Sequence, residues 1–134
     1  MKGLRLFLPP FAPDDAGAAS VLFPLGGLVV IVDAGGCAGN ICGFDEPRAR
    51  DDGPHSVVVS AALRDMDAIL GRDDQLVVKI ARAVQSFRTS GQSFPFIALI
   101  GTPVPAIIGT DYRALCRLTE QATGVPTIAV ATAG

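Results

Sequence analysis

The sequence predicts a three-layer α/β domain with a mostly parallel sheet of about four to five strands. Three observations lead to it. Short apolar runs alternate with longer helical patterns along 134 residues, the rhythm of strand, helix and strand in a parallel sheet. Leu28 to Val32 is apolar at every position, as a strand buried on both faces must be. Leu76, Ile80, Ala83, Val84 and Phe87 recur on one face of a long helix with Lys79, Arg82 and Arg88 elsewhere, so an apolar stripe faces a core and the basic residues form a solvated face.

Taken in order, the elements begin with a strand at Leu4 to Leu8 and a short helix after Pro13. Leu28 to Val32 and Ser56 to Ser60 follow as strands, the second leading into a helix from Ala61 to Leu70 that Ser60 caps and Gly71 stops. The long helix takes Asp73 or Asp74 as its cap. A strand from Phe96 to Gly101, a helix within Asp111 to Thr123 and a last strand from Thr127 to Ala131 complete the series. Within Asp111 to Thr123, Tyr112, Leu115, Cys116, Thr119 and Ala122 share one face, which makes Cys116 a core residue. A chain of this length suits one domain and buries roughly two-thirds of its unfolded surface.

Composition narrows the function. A net charge of −2 with scattered lysine and arginine provides no basic stripe, and 6% aromatic content without tryptophan leaves few stacking platforms. No nucleic-acid partner is expected. The mean hydropathy is +0.44, and the uncharged run from Ala16 to Val32 approaches a spanning length. Pro24, Gly26 and Gly27 interrupt that run, so no membrane partner is expected. Lys2 and Arg5 precede an apolar stretch that ends at Pro9-Pro10, too short for a signal peptide. Three cysteines without such a signal point to a reducing compartment, hence the cytoplasm.

Chemistry begins at Asp33-Ala34-Gly35-Gly36-Cys37-Ala38-Gly39-Asn40-Ile41-Cys42-Gly43, two thiols among four glycines directly after the most apolar strand. Ligands of open α/β sheets sit outside the carboxyl ends of strands. Glycine lets the backbone approach a bulky group closely. Gly35, Gly36, Gly39 and Asn40 are therefore candidate cofactor-binding residues, and Cys37 and Cys42 candidate metal ligands. A tight turn with two buried cysteines as filler gives the same pattern, and C-x4-C spacing alone is a weak metal signal.

Other groups carry less. Asp65 and Asp67 stand two apart on a helix, about 200° around its axis, and cannot share one substrate atom. Glu46 to Pro54 reads as an exposed loop. His55 is the only histidine and precedes a strand, with no second histidine to join it as a ligand. Ser56, Ser60 and Thr102 have no partnering histidine in a recognisable arrangement, so no catalytic residue is assigned. Gly101 to Ala106 follows another apolar strand and should reach the same edge as Cys37. Neither glycine segment has a dinucleotide or P-loop pattern.

The runs Phe11-Ala12-Pro13-Asp14-Asp15-Ala16-Gly17-Ala18, Gly35-Gly36-Cys37 and Ser60 to Gly71, with Ile107-Ile108-Gly109-Thr110-Asp111 and Thr123-Gly124-Val125-Pro126, resemble the nitrogenase component 1-type oxidoreductases over nearly the whole chain. The resemblance implies a single Rossmann-like domain over residues 1–134, the N-terminal domain or a fragment of a longer multi-domain subunit. It implies pairing as a homodimer or with a related subunit, an iron-sulfur or larger metal cluster, and electrons from an ATP-dependent iron protein. A domain of this kind is part of a reductase and does not turn over substrate alone.

The family's three cluster-ligand positions fall at Phe11, Cys37 and Pro103, and only Cys37 offers a thiol. Cys42 would supply a second ligand, and a two-fold dimer would gather four thiolates, the usual complement of an iron-sulfur cluster. The alternative is a metal-free Rossmann-like module that binds a small ligand or serves dimerisation, with no cofactor.

Overall fold

The computed structural model describes residues 15–33, 56–61, 73–102 and 109–132. Helix α1, Asp15–Leu22, ends in a 3-10 turn at Phe23–Leu25. Gly26 terminates that turn at φ 73°, the left-handed region open to glycine. Strand β1 is Leu28–Val32 and β2 is Val57–Ser60. Helix α2, Asp73–Thr89, leads to β3, Ile97–Gly101; helix α3, Tyr112–Thr123, leads to β4, Thr127–Ala131.

The four described strands form one sheet in the order β2-β1-β3-β4, every neighbouring pair parallel. Leu28 pairs with Val57 on one side and Ile97 on the other, and Ile97 with Thr127. β1 and β3 are buried at all five positions. Their side chains alternate between two cores. Leu28, Val30, Val32, Ile97 and Leu99 pack with Leu76, Ile80 and Val84 of α2 and Leu115 of α3. Val29, Ile31, Ala98 and Ile100 pack with Ala19 and Leu22 of α1. Helices therefore lie on both faces, and the expected three layers are present.

Four expectations change in detail. Asp73 and Asp74 stand inside the first turn of α2; there their charge complements the helix dipole without capping it. Arg88 is tied down, its Nη2 donating to Thr123 O at 2.7 Å and joining the carboxyl ends of α2 and α3. The inward face of α3 is Leu115, Thr119 and Thr123. Ala122 is exposed and Cys116 only half-buried, because the stripe follows the four-residue steps from Leu115. Ser56 precedes β2 because its polar groups are committed elsewhere. Gly27 N–H donates to Ser56 Oγ at 2.8 Å, Ser56 Oγ donates to Leu22 O at 2.8 Å, and Ser56 N–H donates to Phe23 O at 2.8 Å. The strand expected at Leu4 to Leu8 and the Ala61 to Leu70 helix beyond Ala61 lie outside the described residues.

Ser56 thus clips the α1–β1 connection to the amino end of β2 at a site that is 5% exposed. Ser56→Ala leaves a buried N–H and a buried carbonyl without their partner and should cost about 1–3 kcal/mol. The midpoint of urea unfolding should fall at unchanged slope.

Candidate functional site

All four strands point the same way, so one edge of the sheet collects every carboxyl end. The chain proceeds from β1 outward to β2 on one side and then, through β3, outward to β4 on the other. The order reverses between β1 and β3, the switch point where open α/β sheets leave a crevice. The helices return toward the amino edge, so α2 and α3 both begin at the carboxyl edge.

The edge is closed by two threonines in equivalent places. Thr102 N–H and Oγ1 both donate to Val32 O, at 3.3 and 2.8 Å. Thr132 N–H and Oγ1 donate to Gly101 O at 3.2 and 2.7 Å. The final carbonyls of β1 and β3 are thereby satisfied by the protein, so a ligand here is left to side chains and to backbone beyond the strands. The signal was in the sequence, where β3 and β4 each end in a small residue followed by threonine, Gly101-Thr102 and Ala131-Thr132.

Asp33 is 3% exposed directly after β1, a buried carboxylate at the switch point beside Thr102. At the start of α3, Asp111 accepts from Arg113 N–H and Ala114 N–H through one oxygen, both at 3.0 Å, and caps the helix. The ring of Tyr112 lies against Gly101 so closely that a Cβ there would stand 2.6 Å from its Cζ and Oη. Glycine at the end of β3 is what lets the ring close over the strand. Tyr112 Oη is buried and has no hydrogen-bond partner among the described residues.

Acidic groups cluster at the starts of α2 and α3, Asp73 and Asp74 on one and Asp111 on the other. Burial raises the Asp73 pKa, and the nearby carboxylates of Asp111 and Asp74 raise it further. Burial, and then the charge of Asp73, push the Tyr112 hydroxyl up to about 12. Cys116 lies away from this edge, midway along α3. Burial, with Glu120 beside it, pushes its thiol up.

Cys37, Cys42, Gly35, Gly36, Gly39 and Asn40 lie outside the described residues, as do Phe11, Pro103 and His55. The described strands bring together the points from which two of their segments start. The stretch holding Cys37 leaves from the end of β1, and the stretch holding Pro103 leaves from the end of β3, its neighbour. Among the described residues no group of three or more His, Cys, Asp or Glu is arranged to hold a metal ion. No described helix is long and apolar enough to cross a membrane.

Tyr112 is the only tyrosine, so the absorbance of ionised phenol reports it alone. Its titration should centre near 12 in the folded chain and near the ordinary value of about 10 in the unfolded chain. The folded state holds the proton more tightly, so stability falls as pH rises from 10 toward 12. Asp73→Asn should lower the folded midpoint.

The family model for nitrogenase component 1 type oxidoreductases matches residues 14–134. The nitrogenase iron-molybdenum cofactor biosynthesis protein NifE of Klebsiella pneumoniae is 30% identical over 121 residues, 88% of this chain and 25% of that protein. NifE of Sinorhizobium fredii (strain NBRC 101917 / NGR234) is 28% identical over 121 residues, 88% of this chain and 23% of its own. The chain spans about a quarter of the length of these relatives. Nitrogenase Cp1 structures at pH 6.5 and pH 5 superpose with a TM-score of 0.69 at 18% identity, covering 88% of this chain and 22% and 23% of theirs. That likeness establishes the same fold. With the family match running from α1 through β4, the chain belongs to the nitrogenase component 1-type oxidoreductase family.

Proposed function

We propose that this chain is one Rossmann-like domain of a nitrogenase component 1-like subunit, and that it helps to hold an iron-sulfur or related metal cluster at a contact between two chains. One observation carries the reading. The strand order reverses between β1 and β3, the place at the carboxyl edge where open α/β sheets take ligands, and the Cys37 stretch starts from β1 there. Cys37 is four residues beyond Asp33, which limits it to about 14 Å from that residue.

The family's three-thiolate arrangement does not fit this donor set, since Phe11 and Pro103 have no side-chain donor. Cys37 and Cys42 provide two thiols, and the same pair from a second chain, identical or related, completes four. The described Cys116 suits the task poorly, because it stands midway along α3, away from the carboxyl edge. Binding at Cys37 and Cys42 releases their protons. Gly35, Gly36 and Gly39, having no Cβ, would let the backbone approach the bound group, and the Asn40 amide would be a further donor. A cluster, when bound, supplies one-electron transfer, with an ATP-dependent iron protein as the electron donor in a cytoplasmic reductase. The relatives named for iron-molybdenum cofactor biosynthesis support metal handling by this branch.

The absent donors at Phe11 and Pro103 favour a second reading, a metal-free module that keeps the fold for small-ligand binding or dimerisation. Iron and acid-labile sulfide measured on protein purified without oxygen, with the visible spectrum alongside, separate the two. The cluster reading expects stoichiometric iron and sulfide that are lost in Cys37→Ala and reduced in Cys42→Ala. Colourless, iron-free protein that folds and melts like the Cys37→Ala variant selects the metal-free module.

A further inference from the structure

We propose that the outer edge of β4 is an interface between two copies of this chain, paired antiparallel about a two-fold axis near Ala129. β4 is the last strand on its side of the described sheet. Ile97 N–H donates to Pro126 O and Thr132 N–H to Gly101 O. Even-numbered residues of the strand therefore face β3, and Thr127, Ala129 and Ala131 turn their N–H and C=O groups outward. Thr127 N–H is taken by Glu120 Oε1 at 2.7 Å. Ala129 and Ala131 are exposed, and Ile128 is 48% exposed. The strand itself reads Thr-Ile-Ala-Val-Ala, with no lysine, proline or charge within it; the carboxylate on this edge, Glu120, occupies the N–H of Thr127 and leaves the pairing to Ala129, Ala131 and the Thr127 carbonyl.

The occupant follows from the charge pattern next to it. α3 and β4 border a groove of about 560 Å³ lined by Tyr112, Arg113, Cys116, Arg117, Glu120 and Ile128. The helix runs antiparallel to the strand, with Glu120 beside Thr127. Arg113, seven residues back, lies about 10 Å along the helix, which is three strand residues past Thr127. The midpoint between Glu120 and Arg113 thus falls beside Ile128 and Ala129, where the strand's own two-fold would stand. A second copy related by that axis brings its Glu120 opposite Arg113 and its Arg113 opposite Glu120. This self-complementarity is what an isologous contact requires. Arg117, close to the axis, is exposed and long enough to keep its head group in solvent.

In such a pair the two carboxyl edges lie at opposite ends of one continuous sheet. The contact is therefore separate from the one proposed to gather Cys37 and Cys42, and it needs no metal. Sedimentation velocity on metal-free, reduced chain at micromolar concentration tests it, with circular dichroism to confirm folding. The expected result is a two-chain species whose association weakens roughly tenfold or more in Arg113→Glu and in Glu120→Arg, by like-charge opposition. The double variant Arg113→Glu with Glu120→Arg should restore it. Ala129→Pro, which removes an outward N–H and leaves the β3 ladder intact, should give monomer. A monomeric parent chain overturns the proposal, and so does a dimer indifferent to all of these variants.

Discussion

The structure depends on the complete burial of β1. Five successive apolar residues, Leu28 to Val32, are at most 1% exposed, and each such side chain contributes about 1.5–3 kcal/mol when removed from water. A strand buried on both faces needs a helical layer on each, and two hydrogen-bonded neighbours to satisfy its backbone. β2 and β3 supply the neighbours. α1 covers one face and α2 with α3 the other.

The position of the crevice follows from the same strand. Because β1 is central and the chain grows outward from it in both directions, the order must reverse beside it. The connections to β2 and onward from β3 both leave from one edge, where open α/β sheets take their ligands. The threonine closures at Val32 and Gly101 satisfy the strand ends within the protein. The acidic start of α2, the capped start of α3 and the buried Asp33 give that edge a negative character.

Much of the framework was legible because burial writes directly into composition. Leu28–Val32 and Thr127–Ala131 have the expected bounds, and the β3 and α2 patterns differ from theirs by a residue or by the role of the first turn. The inward face of α3 was read one step off because Ala122 and Thr123 are both small, and only packing chooses between them. The use of Arg88 was hidden since its acceptor, Thr123 O, is 35 residues distant. Likewise, nothing local connects Ser56 to Leu22 and Gly27, which meet it only once β1 and β2 are paired. At the site, strand ends were legible from apolar runs, and the threonine closures were available as a repeated small-residue-threonine pattern. The closure of Tyr112 over Gly101 was not, because it depends on how α3 returns across the sheet.

Native mass spectrometry of oxygen-free protein tests the central claim most directly, since it reads chain number and bound mass in one species. The account predicts a two-chain ion carrying the added mass of iron and sulfide, with that added mass absent from Cys37→Ala. Chains that carry no added mass, whether single or paired, would contradict it.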